Sequence, residues 1–157
     1  MNRALTTLLA GACAVFTAQA QAGERKLTEK QMPVAVLAAF HKAYPAATIR
    51  GLSVEKEHGK AFYEVESLDG ATRRDLSYLA DGTLSEIEET LPETSLPAAV
   101  MAAVKAKHPG GKVLKAEKNT KGSVLTYEIL VRDGKRLREV VVDPAGKVLN
   151  EEAGDND

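Results

Sequence analysis

The chain has 157 residues, with 21 Lys and Arg against 22 Asp and Glu, and 44 % hydrophobic residues. This balance is ordinary for a globular protein and excludes the strongly basic character of a nucleic-acid binder. One Cys excludes a disulfide scaffold, and the length leaves no room for a large multidomain enzyme.

Residues 1–22 read as a secretory signal. Arg3 precedes an apolar run from Ala4 to Phe16, and Ala18-Gln19-Ala20-Gln21-Ala22 offers small-x-small cleavage sites. The run is shorter than the roughly 20 apolar residues that span a bilayer, so no membrane span is expected. Cys13 follows Ala10-Gly11-Ala12 in a loose lipoprotein pattern, but the apolar run continues past it. Ordinary cleavage and a periplasmic location are therefore the expectation, with lipid anchoring the lesser alternative. Cleavage also removes the only thiol.

The remainder is one unit written twice. A shift of 64 residues places Pro33 to Phe40 on Pro97 to Val104, Tyr44-Pro45 on His108-Pro109, and Tyr63-Glu64-Val65 on Tyr127-Glu128-Ile129. Asp69-Gly70 falls on Asp133-Gly134, and Gly82 on Gly146. The units are placed at residues 33–90 and 97–154. Each is expected to be a helix followed by four antiparallel strands, an α+β tandem repeat with the helices on one sheet face.

Val36, Leu37, Phe40 and Tyr44 form an apolar stripe at helical spacing, as do Val100, Met101, Val104 and His108. Pro33 opens the first helix, and Ser95 is the expected N-cap of the second. Strands are expected at 47–57, 60–68, 71–79 and 83–89, then at 112–121, 123–132, 135–143 and 147–152. Asp69-Gly70, Asp81-Gly82, Lys121-Gly122 and Asp133-Gly134 mark tight turns between them. The short linker 90–94 keeps the units close and makes a joined sheet of about eight strands possible.

Alternation assigns Tyr63, Val65, Leu76 and Tyr78, with Leu125, Tyr127, Ile129, Val131, Val140 and Val142, to the helix side. The opposite face receives Phe62, Glu64, Glu66, Leu68, Arg73, Asp75 and Ser77. In the second unit it receives Thr126, Glu128, Leu130, Arg132, Leu137, Glu139 and Val141. The charge is unevenly shared. Residues 33–90 hold 6 basic and 10 acidic side chains, a net of −4; residues 97–154 hold 11 and 7, a net of +4.

Catalytic signals are weak. His41, His58 and His108 lack zinc-motif spacing, and no nucleophile elbow, phosphate loop or dinucleotide fingerprint occurs. Glu64 and Glu66 share a strand face about 7 Å apart, a separation that suits acid–base work only within a pocket. The acidic runs at Glu86, Glu88 and Glu89 and at the C-terminal tail lack the companions of a calcium loop. No cofactor is expected.

The residues Pro33, Tyr44-Pro45, Tyr63-Glu64-Val65, Asp69-Gly70 and Asp81-Gly82-Thr83-Leu84, with their copies, resemble the PepSY-like, beta-lactamase-inhibitor-like group over about residues 30–153. That resemblance implies a small exported α+β protein without a cofactor. It also implies a sheet face that grips a protein partner, as the group's namesake inhibitor grips its enzyme, and a link to restraining peptidases. The expectation is a non-enzymatic module that binds a protein or peptide through the free sheet face, with Phe62, Glu64, Glu66, Arg73, Glu128, Leu130 and Arg132 as contact residues. A small-ligand or metal-ion sensor is the alternative.

Overall fold

A computed structural model describes residues 24–57 and 59–154 of the chain. The secretory signal, Cys13 and His58 lie outside the described residues.

The elements follow one another in a simple order. Strand β1 (Arg25–Lys26) and a 3-10 turn (Glu29–Gln31) lead into helix α1 (Val34–Ala43). Strands β2 (Thr48–Glu57), β3 (Lys60–Asp69), β4 (Thr72–Tyr78) and β5 (Leu84–Thr90) follow. A second 3-10 turn (Glu93–Ser95) precedes helix α2 (Ala98–Lys107). Strands β6 (Lys112–Lys121), β7 (Val124–Asp133), β8 (Arg136–Val142) and β9 (Val148–Ala153) complete the chain.

The expected α+β tandem of two four-stranded sheets requires correction. Among the described residues nine strands form one antiparallel sheet in strict sequence order, and only two ten-residue helices accompany it, so this part of the chain is sheet-dominated. The sheet is continuous because β5 and β6 pair over five rungs, from Glu86↔Lys121 to Thr90↔Glu117. The short connection between β5 and α2 brings Leu91 back to donate its N–H to the Ala116 carbonyl at 2.8 Å. β1 adds a ninth strand through Arg25↔Val54 and Lys26↔Ser53.

Ser95 is not the N-cap of α2. It sits in the 3-10 turn, and Pro97 occupies the cap, as Pro33 does in α1. Proline suits that place because its absent N–H would have had no intrahelical partner.

Both helices lie on the same side of the sheet, over two apolar clusters. In the first, Met32, Val36 and Phe40 meet Val65, Leu76, Tyr78 and Ile87. In the second, Leu96, Val100 and Val104 meet Ala116, Tyr127, Ile129, Val131, Val140 and Val142. The clusters meet across charged side chains. Arg74 Nε donates to Glu89 at 2.8 Å, and Lys118 Nζ donates to the other Glu89 oxygen at 2.9 Å, across the β5–β6 pair. The sheet is thus continuous in its backbone while its core is divided by an ion-pair seam.

The turn after β4 packs directly against α1. Gly82 has φ +84°, and a Cβ there would stand 2.6 Å from the Ala35 carbonyl oxygen. Gly146 repeats the arrangement with φ +88° and 2.7 Å to the Ala99 oxygen. Positive φ and backbone contact together require glycine at both places.

Candidate functional site: the free face of the sheet

The strand register fixes the face opposite the helices. Glu66 lies opposite Asp75, Asp75 opposite Glu88, Glu117 opposite Glu128, and Glu139 opposite Glu152. Like charges directly opposite each other destabilise a sheet. Four such pairs on one face are therefore a feature that folding alone does not favour.

The seven expected contact residues all fall on this face. Glu64 lies between Ser53 and Ser77 and accepts the Ser53 hydroxyl at 2.6 Å. Glu66 is exposed over Gly51, where a Cβ would come within 2.9 Å of its Cδ. Arg73 reaches Asp75 at 3.4 Å and Glu66 at 3.9 Å. Glu128 sits between Glu117 and Val141, and Leu130 between Lys115 and Glu139. Arg73 pairs with Leu68 on β3, whereas Arg132 on β7 pairs with Leu137, so Arg and Leu exchange strands at that rung.

These residues do not converge on one point. Arg73 and Arg132 stand at the strand ends near Asp69 and Asp133, the carboxylates occupy the middle, and Phe62 lies toward the β2–β3 turn, opposite Glu55. Three strand spacings across the sheet and four residues along it, roughly 19 Å in all, separate the two arginines. Glu64 and Glu66 share the open face as expected, but they do not form an isolated pair. They belong to a belt running on through Asp75 and Glu88.

The sequence reading missed the centre of that belt. In the sequence Glu86, Glu88 and Glu89 stand out only as an acidic run without the companions of a calcium loop. In the structure Glu86 and Glu88 join the free face, while Glu89 turns to the helix side beneath Arg74. Alternation about buried Ile87 is the signal that separates them. Asn119 donates to Glu86 at 3.1 Å and to Glu88 at 2.9 Å, and Lys121 pairs with Glu86 at 2.7 Å. Lys115 pairs with Glu117 at 3.1 Å.

Crowding shifts the titration of the belt upward. Burial pushes Glu88 up to about 7, with the charges of Glu117, Glu86 and Asp75 adding to it. Burial raises Glu64 against the pull of its Ser53 hydrogen bond, and raises Asp75 against the pull of Arg73. Glu128 and Glu139, diagonal neighbours on β7 and β8, are both raised, first by burial, and the charge of Glu139 adds to the rise at Glu128. Asp75 Oδ1 and Glu139 Oε1 are buried without a hydrogen-bond partner. The face is thus an array of acceptors short of donors. Among the described residues, no group of three or more His, Cys, Asp or Glu is arranged to hold a metal ion. No described helix is long and apolar enough to cross a membrane.

Comparison with solved structures gives the same fold. A protein of Bacteroides eggerthii described as periplasmic superposes with a TM-score of 0.63 at 19 % identity, covering 78 % of this chain and 88 % of that one. A BLIP-like protein of Bacteroides fragilis superposes with a TM-score of 0.60 at 20 % identity, covering 78 % and 89 %. Among curated proteins none matches. Residues 18–86 match the family model described as "Putative beta-lactamase-inhibitor-like, PepSY-like", and residues 97–152 match "Peptidase propeptide and YPEB domain", or PepSY. The resemblance carried by the paired motifs therefore holds at the level of these matches, one family model meeting the first part of the chain and the other the second.

Proposed function

We propose that the chain is an exported, non-enzymatic binding module that holds a protein partner against the free face of its sheet, in the manner of an inhibitor. The observation that carries this reading is the belt of opposed carboxylates on a face that no described helix covers. Charge is kept there at a cost to the fold, as binding surfaces require and cores do not. The similarity to beta-lactamase-inhibitor-like proteins supports an inhibitor-like role, and neighbours described as periplasmic support a periplasmic location. Partner contact would use Phe62, Arg73 and Arg132 as anchors, with Leu130, Glu64, Glu66 and Glu128 between them. Aromatic and Arg side chains are the usual energetic centres of such interfaces.

Affinity capture from a periplasmic extract tests the proposal. The triple variant Phe62→Ala/Arg73→Ala/Arg132→Ala should lose a partner that the wild type retains. A control with Lys42 and Lys105, exposed on the helices, changed to Ala should keep it. Equal recovery by the triple variant and the wild type would remove the free face as the binding surface.

A further inference from the structure

We propose that the occupant of the free face is a cationic segment of the partner protein, a Lys- and Arg-rich stretch in extended conformation lying across the strands from β4 to β8. This rests on the reading of the free face as the binding surface and assigns the chemistry that fills it.

Three features of the face point to this occupant. The first is placement. Asp75, Glu88, Glu117, Glu128 and Glu139 lie on five successive strands, so carboxylates recur at every strand spacing. The register carries the track diagonally, four strand spacings of about 4.8 Å across and four residues along, roughly 23 Å or the length of about seven extended residues.

The second is the state of the acceptors. Arg73, Lys115 and Lys121 pair with Glu66 and Asp75, with Glu117 and with Glu86. Among the described residues Glu88 receives the neutral amide of Asn119, and Glu128 lies opposite Glu117 with Glu139 diagonal to it on β8. The buried Asp75 Oδ1 and Glu139 Oε1, at the two ends of the track, have no donor. An unmet acceptor inside a carboxylate array is met best by the multiple N–H groups of ammonium or guanidinium.

The third is the apolar lining. Leu130, Leu137 and Val141 lie half-buried among the carboxylates of β7 and β8. They suit the methylene stems of Lys and Arg, which cover apolar surface while the charged head reaches an acceptor.

The test uses a fluorescein-labelled ten-residue peptide of alternating Arg and Leu, and a matched peptide of alternating Glu and Leu, read by fluorescence anisotropy. The wild type should bind the arginine peptide at least tenfold more tightly than the glutamate peptide, with affinity falling as salt is added. Asp75→Asn/Glu88→Gln/Glu128→Gln/Glu139→Gln should weaken arginine-peptide binding at least tenfold. This variant relieves repulsion and should remain folded, which circular dichroism checks. Glu29→Gln/Glu93→Gln, in the two 3-10 turns, should bind as the wild type does. Unchanged binding by the quadruple variant would overturn the proposal. So would millimolar calcium chloride abolishing peptide binding while raising the melting temperature, an outcome that gives the belt to a divalent cation. In the capture experiment, a photocrosslinker at Leu130 should attach to a Lys- and Arg-rich segment of the partner. Attachment to a second copy of this chain would overturn the proposal. If the quadruple variant keeps a partner that the Phe62/Arg73/Arg132 variant loses, the binding face stands and its cationic occupant falls. If neither variant loses the partner, both readings fall.

Discussion

The two halves of the molecule solve the same corner differently. Where α1 ends, Tyr44 lies under the Arg74 guanidinium, which stands 4.8 Å from the ring centroid and also reaches Glu89 at 2.8 Å and Asp69 at 3.5 Å. Where α2 ends, the position 64 residues on is His108, which is buried. Its Nδ1 lies 3.0 Å from Asp133 and its Nε2 3.4 Å from Glu151, which also pairs with Lys107. The first corner places a permanent cation over a neutral ring, and the second places the ring itself between carboxylates. The consequence is directional. Arg74 and His108 each reach the aspartate of the following hairpin, Asp69 or Asp133, but the second partner of Arg74 is Glu89, shared with Lys118 at the β5–β6 seam, whereas that of His108 is Glu151 on the edge strand β9. One corner ties the halves together; the other fastens the outer edge.

The largest way to break this comparison is to empty each core in turn. Phe40 is fully buried under the first half, and its counterpart Val104 is 2 % exposed under the second. Phe40→Ala should cost about 3–5 kcal/mol and Val104→Ala about 2 kcal/mol in urea unfolding. Because the sheet is continuous across β5 and β6, both variants should shift a single transition. Two separate transitions would show that the ion-pair seam uncouples the halves.

A second comparison concerns the turn glycines. Gly82→Ala and Gly146→Ala each force a side chain into positive φ against a helix carbonyl, and each should cost about 2 kcal/mol. Equal losses are expected, since the contacts differ by only 0.1 Å in the two halves. A clearly smaller loss at one of them would mean that its helix shifts to make room.

The carboxylate belt gives a third prediction with a definite sign. Glu88 is raised to about 7 in the folded protein from an ordinary value of 4.5. The folded state therefore holds more protons than the unfolded chain between those values, and stability falls as pH rises through that window. Glu64, Asp75, Glu128 and Glu139 act in the same direction. Chemical denaturation should show the protein more stable at pH 5 than at pH 8. Glu88→Gln should recover on the order of 1–2 kcal/mol at pH 8 and little at pH 5, after allowance for its partial exposure to solvent. A flat pH profile for the wild type would mean that the belt is better solvated than its crowding implies.

The smallest effect should come from the free-face side of the seam. Lys121→Gln removes the pair with Glu86, and in thermal unfolding it should cost about 0.5 kcal/mol or less. A loss above 1 kcal/mol would give the opposed net charges of the halves a structural role beyond solubility.

Much of this was legible in residues 33–154, and the failures have physical causes. Strand β6 at Lys112–Lys121 matches its expected span, and the other strands differ by a residue or two at their ends. Alternation and the Asp-Gly turns determine both, and Gly70 and Gly134 adopt the positive φ that such turns require. The faces of β3, β4, β7 and β8 were equally plain, since one register decides every side chain of a strand. The joining of β5 to β6 was left open because no short turn connects them. Their pairing depends on how α2 and its 3-10 turn fold back, which no local pattern encodes. β1 escaped for the opposite reason: two residues are too few to show a period. Ser95 carried a sound cap signal, but proline took the place and left Ser95 in the preceding turn. Of the belt, Glu64, Glu66 and Glu128 were singled out from their strands. The role of Glu88 emerges only when β5 is set between β4 and β6.

The strict ordering of the strands bears on how such a chain comes to be folded at all. Every strand from β2 onward pairs with the one made just before it, and none waits for a partner encoded later. Loop closure is the main entropic barrier to β pairing, and here each closure is short or bridged by a single helix. A chain emerging from its N-terminus can therefore add strands as a zipper adds teeth, always onto an existing edge. The growing edge, which is open to wrong pairing, is covered each time by the next segment to arrive. The arrangement leaves β9, the last strand to be added, at the far edge, where Glu151 fastens it to His108 and Lys107.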